Sequence, residues 1–327
     1  MKIVKPSASV LPAPKTPDEL LQHIERCGRV CYKSEDKITE GSAATFIRGI
    51  IKRGHEAVLE HGEFCFNMSK GMWEWIKCHA DTMELYGRKC YLRFTAPGYN
   101  ACCHWLVSGN MRAWRDYLKF THKRLNYLPG CFSLIVKRYE PLFPELQDVE
   151  FLKETVSFRE DLILVTDFRA LTKTERLVHQ PVTTLFVCDR GVSHEIVRHR
   201  PASYCQESTR YCNYSKDGFG SEITVVEPPF FEGGNYLQWK YAMMDAEKRY
   251  MTLLEKNATP QEARDVLPNS LKTEVVMTAT VSEWLHFFNL RTAAAAHPQM
   301  REVALLLKGQ MYEIVADLME DYENGKQ

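Results

Sequence analysis

The basic triplet Arg198-His199-Arg200 is the first group in the chain whose residue types and order suggest chemistry. Guanidinium groups hold phosphate oxygens in a bidentate way, and an imidazole can donate a hydrogen bond or stack on a ring. The triplet therefore indicates a pocket for an anion. A structural role is the alternative, because the side-chain stems can lie along the edge of the core with their charges paired to Glu195 and Glu207.

The stretch that follows the triplet is dense in hydrogen-bonding side chains. It reads SYCQESTRY over residues 203–211, and its polar members are Ser203, Tyr204, Gln206, Ser208, Thr209, Arg210 and Tyr211. A ligand with several oxygens and a planar ring suits such a loop. A phosphorylated nucleoside fits that description, and so do many other molecules.

A strand and a helix are expected to position the triplet. PVTTLFVC (181–188) is apolar and β-branched, which predicts a buried strand. The pattern after it predicts a helix through 192–200, in which Val192 and Ile196 share one apolar stripe. Consecutive helix residues are about 100° apart, so the three basic side chains would fan around most of the circumference.

The pattern along the whole chain predicts an α+β fold, with a mixed sheet and flanking helices. No repeat or low-complexity linker interrupts it, so residues 1–327 are expected to form a single domain. Within that domain, 70–180 is interpreted as a variable or peripheral segment. Residues 1–16 contain three prolines and are expected to form an irregular arm.

The composition argues against several classes of protein. Lys+Arg and Asp+Glu are equal at 42 each, whereas a nucleic-acid binder usually shows a basic excess. No stretch approaches the ~20 apolar residues that span a bilayer, so a cytoplasmic protein without a membrane partner is expected. The 11 cysteines are scattered without a C-x-x-C pair, which favours buried thiols over disulfides or a metal site.

Four motifs in a fixed order carry a resemblance to a known family. The first motif in the chain is GHEAVLEH (54–61), and the second is the triplet followed by seven residues and Ser208. The third and fourth are EARDVLP (262–268) and FFNLR (287–291). In this combination the chain resembles the flavin-dependent thymidylate synthases. The motifs frame residues 40–69 and 181–315, about two-thirds of the sequence.

The resemblance implies a reaction, cofactors and site residues. Such enzymes methylate dUMP to dTMP reductively, with methylenetetrahydrofolate as carbon donor and with FAD, reduced by NADPH, as hydride carrier. They are homotetramers whose sites are shared between subunits. Carried over by position, the cofactor-binding residues are His55, Arg198, His199, Arg200, Gln206 and His286. The substrate-binding residues are Glu195, Arg198, Ser208, Arg210, Arg264 and Arg291, of which Arg291 would be catalytic by stabilising an anionic uracil ring.

This sequence departs from the family's pattern at several positions. Glu195 stands where the family often has Gln, Cys205-Gln206 where it often has Asn-Glu, Thr280–Ser282 where it often has N-x-R, and His286 where it has Asn. Tyr204-Cys205-Gln206 resembles the nucleophile of the unrelated thymidylate synthases. Because the flavin-dependent family activates the ring electrostatically, Cys205 is interpreted as a bystander.

Two other classes of function stay open at the level of sequence. One is a nucleotide-binding enzyme of another reaction class, with the same phosphate pocket and no flavin. The other is a single-stranded nucleic-acid-binding module, in which the aromatic run 204–214 would stack on bases beside the arginines. The neutral net charge argues against the second.

Overall fold

The computed structural model describes residues 1–98, 102–152, 162–216 and 220–325. Its helices are α1 (Pro17–Val30), α2 (Ser42–Lys52), α3 (Lys70–Leu85), α4 (Met111–Leu125), α5 (Cys131–Arg138), α6 (Lys173–His179), α7 (Arg190–Ile196), α8 (Gly233–Glu255), α9 (Pro260–Ala263), α10 (Val281–Arg291) and α11 (Pro298–Asn324). Its strands are β1 (Lys2–Val4), β2 (Ser7–Val10), β3 (Glu63–Met68), β4 (Arg93–Thr95), β5 (Leu106–Asn110), β6 (Leu128–Pro129), β7 (Phe151–Leu152), β8 (Leu162–Leu164), β9 (Pro181–Asp189), β10 (Ser203–Gln206), β11 (Thr224–Val226) and β12 (Lys272–Thr280).

The central sheet has the strand order β10-β12-β9-β2, and all of its neighbours are antiparallel. One face packs against α7, α10 and α11, where Phe186 of the sheet meets Trp284 of α10. The other face packs against α1, where Val276 and Cys205 share a core with Ile24. The Trp284 indole donates to the carbonyl of Val182 over 3.0 Å, so this buried side chain satisfies its polar atom.

A second antiparallel sheet has the order β4-β5-β3-β8. Three of its strands lie in the segment 70–180 that was predicted to be variable or peripheral, and β3 lies just before that segment. The sheet packs with α3, α4 and α5, and their buried residues form one continuous core with α1 and α2. Phe66, Trp114 and Phe132 are the aromatic centre of that core. The segment 70–180 therefore shares its hydrophobic interior with the first two helices.

The predicted α+β class is confirmed. The strands do not form one mixed sheet, however: the two four-stranded sheets among the described residues are antiparallel, and the pairs β1-β11 and β6-β7 are parallel. Among the described helices, none combines the length and the apolar character that crossing a bilayer requires.

The prediction of an irregular arm over residues 1–16 is wrong for its first ten residues, which contain β1 and β2. β2 is the edge strand beside β9, and Val10 pairs with Thr184. The Gln310 amide of α11 accepts from the Val10 nitrogen over 3.0 Å and donates to the Ala8 carbonyl over 2.7 Å. Prolines at 6, 12 and 14 flank the strand and leave its ladder donors intact.

Several histidines are buried in the fold as neutral rings. His179 is the clearest, because Ser108 Oγ lies 2.7 Å from its Nδ1 and Thr95 Oγ1 lies 2.8 Å from its Nε2. The pKa of His179 is lowered to about 3, mainly by burial and also by nearby Arg93, while Glu175 opposes the change. Burial is also the main cause that lowers the pKa of His23 and His199 to about 4 and that of His61 to about 3.

These buried rings predict acid sensitivity. An unfolded histidine protonates below its ordinary pKa of about 6.5, whereas the folded rings resist protonation until about pH 4, so acid favours the unfolded state. We expect the free energy of unfolding to fall between pH 6.5 and 4, by up to about 1.4 kcal/mol per pH unit for each ring. Urea unfolding at a series of pH values measures this slope.

The variant His179→Gln tests the contribution of one ring. It is expected to flatten the slope between pH 6.5 and 4 by about one proton, since glutamine does not titrate. Measurement at pH 8, where the imidazole is neutral in both states, is the control for the lost hydrogen bonds. A variant with the native slope would show that His179 is not held neutral.

Candidate active site

The basic triplet lies at the end of the strand-to-helix unit β9–α7. Asp189 begins α7 as its N-cap, with its carboxylate accepting from the Val192 nitrogen over 2.8 Å. The predicted helix through 192–200 is present up to Ile196, where α7 ends, and the prediction is wrong for the residues beyond it. The Tyr204 hydroxyl is within hydrogen-bond distance of two carbonyl oxygens, that of His199 at 2.8 Å and that of Ile196 at 3.0 Å. In addition, helical geometry is disfavoured for Arg200 because it precedes Pro201.

The three basic residues consequently lie in a turn and do not fan around a helix. Arg198 and Arg200 are exposed, and His199 is buried. Arg200 donates to the Val197 carbonyl over 2.7 Å, and its guanidinium lies 5.1 Å from the centre of the Tyr204 ring. Within the described residues, the Arg198 side chain makes no hydrogen bond or ion pair, so its charge is available to a ligand.

The carboxylates that a structural role would require are engaged elsewhere. Glu195 pairs with Arg291, and Glu207 pairs with Lys272 over 2.9 Å. Glu207 is also buried and accepts from the Tyr214 hydroxyl over 3.0 Å. Neither carboxylate pairs with the triplet in the part of the chain that the structure describes.

Arg291, the last residue of α10, binds two residues of the α7 region. Its Nε donates to Nε2 of His199 over 2.9 Å, and its Nη1 donates to a carboxylate oxygen of Glu195 over 2.5 Å. Because His199 accepts, its ring is neutral and its proton is on Nδ1. Burial lowers the pKa of His199 to about 4, with Arg291 and His286 adding to the decrease.

The His199 ring is also fixed by aromatic neighbours. The Phe287 ring lies 4.8 Å away between centroids, and the exposed His286 ring lies 6.2 Å away nearly edge-on. The N-L-R element and the triplet therefore form one group, defined here as the Arg291 group: Glu195, His199, His286 and Arg291. It combines a permanent positive charge with a neutral imidazole, an arrangement that can stabilise negative charge on a ring.

Ser208 and Arg210 lie in the turn after β10, next to His55. The Ser208 nitrogen donates to the Cys31 carbonyl over 3.1 Å, and Ser208 Oγ accepts from the Arg210 nitrogen over 3.3 Å. Tyr32 connects this turn to His55, because its hydroxyl lies 2.9 Å from His55 Nδ1 and its ring lies 5.3 Å from that of Tyr211. We define Tyr32, His55, Ser208, Arg210 and Tyr211 as the Ser208 group.

Arg264 lines a small cavity of about 210 Å³ together with Arg190, His194 and Thr209. Arg190 was missed by the sequence reasoning. Its guanidinium donates to the Glu207 carbonyl over 3.1 Å and to Thr273 Oγ1 over 3.2 Å. Its position as the first helical residue after a buried strand is the signal that could have found it.

Gln206 belongs beside Arg190 rather than beside the triplet. Its amide donates to Ser193 Oγ over 2.9 Å and lies 3.3 Å from Thr273 Oγ1, which also accepts from Arg190. We define Arg190, His194, Thr209 and Arg264 as the Arg264 group. Gln206 supports its wall.

The structure thus brings the predicted residues into neighbouring groups rather than one cluster. Thr209 of the Arg264 group directly follows Ser208, and α7 runs between the Arg264 and Arg291 groups. Arg190 and Glu195 are separated along α7 by about 7.5 Å, from five residues at ~1.5 Å each. Among the described residues, Arg291 donates to His199 and Glu195, and neither belongs to the Ser208 or Arg264 group.

Cys205 is buried between the central sheet and α1. A hydrogen bond to the Cys31 thiol and burial raise the pKa of Cys205 well above its usual value, while the same contact lowers that of Cys31. A thiolate is the nucleophilic form of cysteine, so this environment disfavours a nucleophile at Cys205.

Comparison with known proteins points to the part of the chain that contains these three groups. The family model of the thymidylate synthase complementing protein matches residues 15–77 and 159–317, which include the Arg291, Ser208 and Arg264 groups. The part of the chain between, 78–158, lies outside the match.

The chain is also similar to curated flavin-dependent thymidylate synthases. It is 34% identical to that of Pyrococcus abyssi over 117 residues, 36% of this chain and 48% of the relative. It is 34% identical to that of Geobacter sulfurreducens over 130 residues, 37% of this chain and 53% of the relative. The chain spans about half the length of these relatives, but it aligns with 92% of the Aquifex aeolicus protein, at 24% identity and over 88% of its own length. Since the family model matches well over half of its residues, the chain belongs to the thymidylate synthase complementing protein family.

Proposed function

We propose that this protein is a flavin-dependent thymidylate synthase that methylates dUMP to dTMP. Methylenetetrahydrofolate would donate the carbon, and FAD, reduced by NADPH, would carry the hydride. The observation that carries the proposal is the Arg291 group, in which an arginine is held against a neutral, buried His199. A family member that must make uracil nucleophilic without a thiolate needs such a fixed positive charge.

The uracil ring is assigned to the Arg291 group. Arg291 keeps its charge at any physiological pH, so it stabilises an anionic ring and makes the C5 position more nucleophilic. Glu195 holds the guanidinium in place over 2.5 Å and offers an acceptor to the ring. His199 adds a neutral neighbour that does not compete for the anion.

The phosphate of dUMP is assigned to the other end of α7. Arg264 and Arg190 line the same small cavity, and Ser208 and Arg210 lie in the turn next to it. Guanidinium forks and a hydroxyl are the groups that bind phosphate best. Because α7 rises only about 7.5 Å between Arg190 and Glu195, one nucleotide can span both groups. Arg198 would add a further contact to the substrate.

The residues present fit a flavin nucleotide. Arg198 is exposed with an available charge, and exposed His55 and His286 offer rings for stacking. Arg200 is exposed and uses Nη1 for the carbonyls of Val197 and His199, and Gln206 and His199 complete the proposed set. When bound, FAD would supply the hydride that completes the methyl group. The chain has no G-x-G-x-x-G motif, which agrees with a flavin held by arginine and histidine.

A homotetramer with shared sites is part of the proposal. Exposed apolar side chains recur along α8 at Leu237, Tyr241 and Met244, and along α11 at Leu305 and Leu306. Such faces are typical of surfaces that are covered by another subunit. Since no hydrogen bond or ion pair among the described residues joins His55 to the triplet, a second copy would bring the two sets together.

Release of tritium from 5-tritiated dUMP tests the function. Methylation replaces the hydrogen at C5, so release is expected only when FAD, NADPH and methylenetetrahydrofolate are all present. The variant Cys205→Ala is expected to keep the release, because a buried thiol of raised pKa is not the nucleophile. Release without FAD, or loss of release in a folded Cys205→Ala variant, would contradict the proposal.

A further inference from the structure

A series of ion pairs lies directly behind the turn that follows β10. Lys272 of β12 pairs with Glu207 over 2.9 Å and with Glu274 over 2.5 Å. Glu274 pairs in turn with Lys33 over 2.9 Å. We define Glu207, Lys272, Glu274 and Lys33 as the Glu207 network. None of its members belongs to the three groups that are assigned to the nucleotide, so the proposed binding contacts do not account for it.

Glu207 is the most deeply buried member of this network, with a side chain that is 2% exposed. Its Oε2 accepts from Lys272 over 2.9 Å, and its Oε1 accepts from the Tyr214 hydroxyl over 3.0 Å. Burial, together with the charge of Glu207, raises the pKa of Tyr214, so the hydroxyl keeps the proton that it donates. Because a buried carboxylate is costly unless it is paired and hydrogen-bonded, these two partners hold Glu207 in place.

The backbone of Glu207 meets the proposed phosphate site at two points. Its carbonyl accepts from the Arg190 guanidinium over 3.1 Å, and Arg190 lines the small cavity together with Arg264. The next residue is Ser208, whose hydroxyl is one of the groups assigned to the phosphate. A displacement of Glu207 would therefore move a guanidinium and a hydroxyl of the same binding site.

The far end of the network fixes the other side of this turn. Lys33 has a φ of 46°, a left-handed conformation that is disfavoured for a residue with a Cβ atom. Its ammonium group binds Glu274 over 2.9 Å and Glu35 over 3.1 Å, which ties the end of α1 to β12. Two residues before Lys33, the Cys31 carbonyl accepts from the Ser208 nitrogen over 3.1 Å. The network thus holds the Ser208 turn from both sides.

The charges of the network alternate in sign from one contact to the next. Burial alone would raise the pKa of Glu274, but its pairing with Lys272 and Lys33 outweighs burial and leaves the pKa below its usual value. Removal of one charge would leave its partner partly buried without compensation. Lys272 also offsets the negative charge of Glu207, which would otherwise weaken the binding of a phosphate beside it.

We propose that Glu207 is a positioning residue for the phosphate of dUMP. Its carboxylate is held by the two side chains that bind it, and this fixes the orientation of Arg190 and of the turn that begins at Ser208. The inference rests on the proposed function, from which it takes the substrate. Glu207 takes no part in the chemistry at the uracil ring, so its loss should weaken the binding of dUMP and leave activation of the ring intact.

The variant Glu207→Gln tests the proposal in the whole chain loaded with FAD. Glutamine keeps the size of the side chain and removes its charge, so Lys272 loses one of its two carboxylate partners. We expect the dissociation constant for dUMP, measured by calorimetry, to rise about tenfold. In the tritium-release assay KM for dUMP should rise by the same factor while kcat stays unchanged. A variant that is merely less stable would lose kcat with the amount of folded enzyme and keep its KM.

Glu25→Gln is the matched control. Glu25 is fully buried on α1 and accepts from Arg29 over 2.7 Å and from Ser42 Oγ over 2.7 Å. Neither partner belongs to the Glu207 network or to the groups assigned to the nucleotide. The control makes the same chemical change at an equally buried carboxylate, and it is expected to bind dUMP as the unaltered protein does. Equal weakening of dUMP binding in both variants would overturn the positioning role.

A milder variant covers the case in which Glu207→Gln does not fold by circular dichroism. Tyr214→Phe removes the hydroxyl that donates to Glu207, and it is expected to weaken dUMP binding at least about threefold. Undiminished dUMP binding in the folded variant would overturn the positioning role and leave the proposed function standing. If the unaltered protein itself binds no dUMP, both the positioning role and the proposed function are overturned.

Discussion

Replacing Arg291 with alanine is expected to lower the rate of dTMP formation by roughly 10²–10³-fold while the protein still binds flavin. Arg291 is the only member of its group with a permanent positive charge, and the proposed chemistry relies on that charge to stabilise an anionic uracil ring. The measurement is tritium release from 5-tritiated dUMP, with the flavin absorbance of the same sample recorded in parallel.

The size of the effect follows from how Arg291 is held. Its Nε and Nη1 are already bound to His199 and Glu195, at 2.9 and 2.5 Å, so the guanidinium is oriented before substrate arrives. An oriented charge in a partly buried site is worth more than a mobile one in water. Lysine has the charge without the planar fork, so Arg291→Lys is expected to recover only part of the lost rate.

Arg169→Ala is the matched control for Arg291→Ala. Its side chain is 84% exposed, and among the described residues it forms an ion pair only with Asp167. Neither residue belongs to the Arg291, Ser208 or Arg264 group. The variant is expected to turn over normally. Normal turnover in Arg291→Ala as well would remove Arg291 from its assigned role, and loss of flavin in that variant would show that the residue serves binding instead.

The second large effect is expected from Arg115→Met, which should lower the free energy of unfolding by about 1–3 kcal/mol. Arg115 is fully buried on α4, in the stretch that the family model does not match. Its guanidinium donates to the Glu145 carboxylate over 2.8 and 3.0 Å and to the Leu142 carbonyl. Methionine leaves a buried carbonyl and part of a carboxylate without partners.

This variant also tests whether residues 1–327 fold as one unit, as we propose. The core around α4 is continuous with α1 and α2, so a defect there should lower the stability of the whole chain in one transition. Urea unfolding followed by tryptophan fluorescence and by circular dichroism makes the measurement. Two separate transitions, with only one of them shifted, would show that the segment 70–180 folds independently.

Arg112→Met is the control, three residues earlier on the same helix. Arg112 pairs with Glu60 over 2.8 Å, but its side chain is 46% exposed. Ion pairs in water contribute about 0–1 kcal/mol, so a small effect is expected. A loss as large as that of Arg115→Met would mean that burial is not the cause.

Much of the fold could be predicted from local pattern. The strand over 181–188 was predicted and is present as β9. It is long, apolar and β-branched, so its own residues determine its type. β2 was missed because four residues with little alternation become a strand only when β9 and Gln310 supply partners distant in sequence.

The residue types of the site and their order could be identified from the sequence, because each motif is a short, continuous stretch. The end of α7 could not be predicted, since the Tyr204 hydroxyl that binds the carbonyls of Ile196 and His199 comes from the next strand. Nor could the partner of Arg291, because sequence spacing cannot show which carboxylate a guanidinium 96 positions away will meet.

The sequence by itself determined the family motifs, the α+β class and the chemical character of the site, since each of these depends on residue type and short-range spacing. Only the tertiary structure decided that the Arg198 side chain makes no hydrogen bond or ion pair among the described residues, and that Arg190 lines the same small cavity as Arg264. The reason is physical. Charge pairing, burial and cavity shape depend on atoms that the chain brings together from distant positions, and the free energies that fix them arise only after the fold has formed.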